Sequence, residues 1–118
     1  MNYLIIEAME KYHDYFEDEL QVELPAHSGN KVNLKAVADD LRSRLAGIFV
    51  ANPDGKRLLH GNYDLFNHDE HFKDLLLFYE CFHGDNCRGV GASHQTGWTG
   101  LIAEIIAKLE PQPANGIE

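Results

Sequence analysis

Leu34, Val37, Ala38, Leu41, Leu45, Ile48 and Phe49 recur at three- and four-residue intervals. A chain can bury that stripe on one side only by coiling into an α-helix. Asn33 stands before it as an N-cap, and Asn52-Pro53-Asp54-Gly55 comes after it with strong turn chemistry, so the spacing predicts a helix over about 34–50. A second stripe, running through Leu4, Ile5, Ala8, Met9, Tyr12, Tyr15 and Phe16, predicts an opening helix over about 3–20. Trp98, Leu101, Ile102, Ile105, Ile106 and Leu109 predict a last one, stopped by Pro111 and Pro113. Between these lie a turn-rich connector at Pro25, Ser28, Gly29 and Asn30 and a short strand over 56–60. The stretch 69–82 reads as a helical turn that becomes extended near Leu76, where Phe78, Tyr79 and Phe82 favour strands. The expected fold class is therefore all-α, with a small β-hairpin or extended element near 56–82.

At 118 residues there is room for one domain and one modest core. The formal charge of −9 leaves no basic face to meet phosphates, which argues against nucleic acid and against anionic membrane surfaces as partners. No apolar run approaches the roughly 18 residues that span a bilayer. The N-terminus lacks a basic start and meets Glu7 almost at once, unlike a secretory signal. Cys81 and Cys87 are too few for a disulfide framework, and a reduced cytoplasmic location is expected.

The chemistry concentrates in Phe78-Tyr79-Glu80-Cys81-Phe82-His83-Gly84-Asp85 and in the glycine-rich run from Gly89 to Trp98. Glu80 stands among aromatic residues, where burial raises a carboxylate toward the range of a useful base. The alternative is a structural Glu80 held by loop amides or by Arg88. His94, Gln95 and Trp98 supply a tuneable donor, an amide and a flat apolar face, a set that suits the hydroxyl edges and C–H faces of a pyranose. On the plainer reading Trp98 is the first core residue of the last helix. Gly89-x-Gly91 before a helix hints at a phosphate cradle, but His94 stands where a dinucleotide fingerprint needs glycine. Cys81, His83, Cys87 and His94 carry metal-ligand chemistry at a spacing that matches no common zinc pattern, so no metal and no cofactor is expected. His13, His27, His60, His68 and His71 read as surface or loop histidines.

Tyr79-Glu80-x-Phe82-His83-Gly84-Asp85, with Gly89-x-Gly91-Ala92-Ser93-His94-Gln95-Thr96-Gly97-Trp98-Thr99 after it, resembles the C-terminal signature of bacterial members of glycoside hydrolase family 63. Asn2 to Ala8 is similar to the stretch just after that family's Trp-Arg-Gly-Pro-x-Trp segment, and Val32-Asn33-Leu34 resembles the start of its penultimate barrel helix. The family includes processing α-glucosidase I and bacterial enzymes acting on glucosides or on mannosyl- and glucosyl-glycerate.

The resemblance implies that residues 1–118 are the C-terminal portion of an (α/α)6 catalytic barrel, the first and last helices inner and the second outer. It implies an inverting α-glycosidase with Glu80 as general base, and His94, Gln95, Trp98 and Arg88 as substrate-binding residues. The partner would be an oligosaccharide or a glycosylglycerate. Inversion needs a second carboxyl to protonate the leaving oxygen, roughly 6.5–9.5 Å from the base. The family's Asp acid lies far upstream and has no counterpart here; Asp85 is too near in sequence to replace it, and Cys87 stands where a small residue is expected. The chain alone is thus expected to be inactive, and its apolar helix faces are expected to drive self-association. A non-catalytic helical module that binds sugar or a protein partner is the alternative, and a zinc module a weaker one.

Overall fold

The structure is a computed structural model in which residues 1–95 and 97–109 are described. Pro111 and Pro113, expected to stop the last helix, lie outside the described residues, as does Thr96.

Helix α1, Asn2–Phe16, and helix α2, Leu34–Phe49, form the main pair. They run antiparallel: Asn2 and Ile5 share a hollow with Leu45 and Ile48, Glu10 pairs with Arg42, and Asp18 accepts a hydrogen bond from the Asn33 amide at 2.7 Å. Asn33 also caps α2, its side-chain oxygen accepting from the Ala36 N–H at 2.9 Å. The connector holds strands absent from the sequence reading. Strand β1, Gln21–Glu23, pairs antiparallel with β2, Lys31–Asn33, Val22 facing Val32, and β2 runs directly into α2.

After α2 the expected strand over 56–60 does not form. Leu58–His60 is a 3₁₀ turn that buries Leu59, and the five-residue helix α3, Asp64–His68, comes next. The chain is extended before strand β3, Cys81–Phe82, which pairs antiparallel with β4, Gly89–Val90. The last helix is shorter than its apolar stripe: Trp98–Leu101 is a 3₁₀ turn, and only Ile102–Ala107 is α-helical, as α4. The core lies where α2 meets α4 and the β3–β4 hairpin. Ala46, Ile48 and Phe49 bury against Leu59, Tyr79, Ile102 and Ile105, and Phe82 lies edge-on to Phe49 at 5.5 Å.

The expectation of an all-α chain forming part of an (α/α)6 barrel is corrected by this architecture. The described residues form a small mixed domain with four helices and two two-stranded antiparallel sheets. At a rise of about 1.5 Å per residue, α3 and α4 reach only about 8–9 Å, too short for barrel staves. Periodicity located the apolar faces but could not register the backbone pairing that takes over on either side of each glycine-rich turn. Among the described residues no helix is long and apolar enough to cross a membrane.

Candidate functional site

The geometry around Glu80 starts with alternation. In extended chain successive side chains leave on opposite faces, so Tyr79 turns into the core at 7% exposure and Glu80 turns out of it. The burial expected for Glu80 from its aromatic neighbours is therefore corrected: its carboxylate is exposed. Its backbone is fixed by the Glu80 N–H donating to Ala92 O at 3.0 Å. The Ala92 N–H in turn donates to Glu80 Oε2 at 3.4 Å, a long bond that leaves the carboxylate most of its acceptor capacity.

Gly91 makes this arrangement feasible. Its φ is +78°, and a Cβ there would come within 2.5 Å of Glu80 Oε2 and 2.9 Å of Glu80 Cβ. Gly89 serves the other face, since a Cβ there would overlap the Tyr79 ring. Gly89 and Gly91 thus leave room for the Tyr79 ring and the Glu80 side chain.

Glu80, Gln95 and Trp98 line one hollow of about 330 Å³, together with Cys81, Gly97 and Thr99. Gln95 is held by its N–H donating to Phe78 O at 2.7 Å, while its carbonyl accepts from Thr99 Oγ1 at 3.2 Å. Trp98 is 62% exposed, so the plainer reading of it as a core residue is not what the fold does. Among the described residues lining this hollow, Glu80 is the one carboxylate.

His94 and Arg88 stand elsewhere. His94 is exposed and sits 5.9 Å from the Phe78 ring, outside the lining of the Glu80 hollow. Arg88 lines a separate hollow of about 460 Å³ with Tyr63, Phe66, Tyr79 and Ser93, so of the two partners the structural alternative offered for Glu80, a loop amide and Arg88, the structure shows the Ala92 amide. Asp85 lies in the β3–β4 turn, its side chain 94% exposed and beside His83 at 3.9 Å. Among the described residues no three His, Cys, Asp or Glu side chains gather closely enough to hold a metal ion.

Three features escaped the sequence reading. Cys81 and Thr99 join the Glu80 hollow, the latter because it sits one turn beyond Gln95. His60, read as a surface or loop residue, is fully buried, and neither ring nitrogen has a hydrogen-bond partner among the described residues. Burial is the main cause that lowers its pKa below the ordinary 6.5, and the nearby Arg57 charge adds a little in the same direction.

Over 110 residues, 92% of its length, the chain is 41% identical to the uncharacterized protein YMR196W of Saccharomyces cerevisiae. It spans about a tenth of that protein's length, 10%. No protein-family model matches the chain, and no solved structure matches it.

Proposed function

We propose that this chain supplies the water-activating half of an inverting α-glycosidase of the α-glucosidase type, with Glu80 as general base. It acts within a longer protein that supplies the general acid. The observation that carries the reading is the shared hollow, which gathers an exposed, lightly bonded carboxylate, an amide and an indole face around one small volume. A carboxylate in that state can take a proton from water, while Trp98 offers the apolar face on which a pyranose stacks. The substrate class is an α-linked oligosaccharide or glycosylglycerate. The match to a tenth of a much longer yeast protein supports the idea of a segment acting within a larger whole.

The chain by itself should give no measurable turnover of α-glucosides, because general acid catalysis contributes about 10²–10⁴-fold and substrate positioning would also be lost. The decisive experiment grafts this chain into the yeast protein in place of its matching segment and assays α-glucoside and glycosylglycerate hydrolysis. Glu80→Gln should abolish turnover while unfolding free energy stays within about 1 kcal/mol, since Gln keeps the volume and loses the base. Near-normal activity of that variant would remove Glu80 from the mechanism.

A second reading is a module that binds sugar or a protein partner without catalysis. The exposure of Trp98 beside a lone carboxylate favours it. Sugar binding by the graft that persists without any turnover would select this reading over the first.

A further inference from the structure

We infer that the hollow around Arg88 is a second binding site, one that takes a sugar bearing an anionic group, a carboxylate or a phosphate. The chain has four arginines, and three have their guanidinium groups engaged. Arg42 pairs with Glu10 and Asp39, Arg44 with Asp40 at 2.8 Å, and Arg57 donates to Phe49 O at 2.6 Å. Arg88 alone among them has no hydrogen bond or ion pair to its guanidinium among the described residues, although the chain carries an excess of nine negative charges.

Its stem is nonetheless positioned. Gly61 has φ +54°, and a Cβ at that residue would lie 3.0 Å from Arg88 Cβ, so the turn after Leu58–His60 is shaped to let the Arg88 stem lie against it. The other end of the residue is tied into the hairpin, with the Arg88 N–H donating to Asn86 Oδ1 at 3.2 Å and Arg88 O accepting from the His83 N–H at 2.9 Å.

Arg88 lines a hollow of about 460 Å³, within the roughly 300–1,000 Å³ typical of small-ligand sites. Tyr63, Phe66, Tyr79 and Ser93 line it too, three aromatic residues and a serine. Tyr63 is 59% exposed and meets Phe66 edge-on at 6.0 Å, so part of this surface is open to a ligand. No carboxylate lines the hollow among the described residues. A planar fork of donors in an acid-free hollow selects a carboxylate or phosphate. Aromatic faces beside it select a ring with C–H surface, as a pyranose has.

Gly91 lines this hollow, and Glu80 Oε2 lies close to the same glycine. The two hollows therefore adjoin at Gly91. The sugar part of the inference rests on the glycosidase reading of the Glu80 hollow; the anion part rests on Arg88 alone.

The test is a titration of the chain, monitored by amide resonances, with glucuronate, glucose 6-phosphate, neutral glucose and inorganic phosphate. Glucuronate or glucose 6-phosphate should shift Gly89, Gly91 and Ser93, and whichever binds more tightly names the anion. Arg88→Gln should weaken that binding at least tenfold with an unchanged melting temperature, because its guanidinium holds no partner among the described residues. Tyr63→Ala should weaken the sugar anions and leave inorganic phosphate unaffected. The inference is overturned if neither anionic sugar shifts these residues, if Arg88→Gln leaves the affinity unchanged, or if inorganic phosphate binds as well as both sugars. Neutral glucose is the separate control for the glycosidase reading. Shifts at Gln95 and the Trp98 indole without any anion effect keep that reading and remove this one, and the reverse pattern does the opposite.

Discussion

His60 and Gly91 are the two residues whose local physics gives the clearest outcomes. The folded pKa of His60 is depressed, so the unfolded chain takes up a proton as pH falls through about 6.5 and the folded chain does not. Stability is thus greatest above that pH and declines below it until the lowered folded pKa is reached. Melting temperatures from pH 8 to pH 5 should fall, and His60→Leu should flatten the slope attributable to this residue; an unchanged slope would mean that His60 is protonated as readily in the fold as out of it. Gly91→Ala combines a positive φ with a Cβ 2.5 Å from Glu80 Oε2. It should cost about 1–3 kcal/mol by urea denaturation. It should also displace Glu80, lowering any glycosidase activity of the graft along with the stability.

At the scale of elements, α2 is the hub, and its contact with α1 includes a charge in an otherwise apolar seam. Arg42 is 3% exposed. Burial works against its charge, but Glu10 and Asp39 outweigh that and raise its pKa. Removing both carboxylates, by Glu10→Gln with Asp39→Asn, strands a buried guanidinium. Such a loss costs about 3–5 kcal/mol when fully buried, and about 2–3 kcal/mol is expected here because the carboxylates stay partly in water at 33% and 44% exposure. Arg42→Met should cost less than that double variant, since it removes the charge and keeps the stem's packing. Chemical denaturation of the two proteins checks the order. At the far end of the pair, Tyr3 donates to Glu104 Oε2 at 2.5 Å, tying α1 to α4. Lys108, then Tyr3, hold the Glu104 carboxyl below its ordinary range, so this tie persists until the pH drops well into the acid region.

The whole molecule is looser than a self-sufficient domain of its length. Its radius of gyration is 16.4 Å, against about 13.5 Å for a compact chain of 118 residues. Ile6 and Ile102 are buried, while Ile5 and Ile106 remain 41% and 44% exposed. Leu4 adds to the uncovered surface at 46%. Ile5 borders an apolar hollow of about 580 Å³ between α1, α2 and the β3–β4 turn. Open apolar surface of that kind drives association. Sedimentation at tens of micromolar should therefore show species heavier than the 13.4 kDa monomer. A clean monomer that binds no hydrophobic dye would contradict this.

The start of α2, its Asn33 cap and its buried stripe were legible in the sequence, because a helix is specified by contacts within four residues of each position. Of the residues singled out from the sequence, Glu80, Gln95 and Trp98 line one hollow, while His94 and Arg88 do not. The β1–β2 hairpin, the β4 partner of β3, the truncation of the last helix and the mixed fold class were not legible, because strand pairing joins residues such as Val22 and Val32 that periodicity treats independently. Exposure was decided by the tertiary structure alone. Tyr79 and Glu80 are neighbours in sequence, yet β4 covers one with Gly89 and leaves the other open beside Gly91. The separation of Arg88 from Glu80 also belongs to the tertiary structure, since the two flank the β3–β4 pairing at opposite ends and line different hollows.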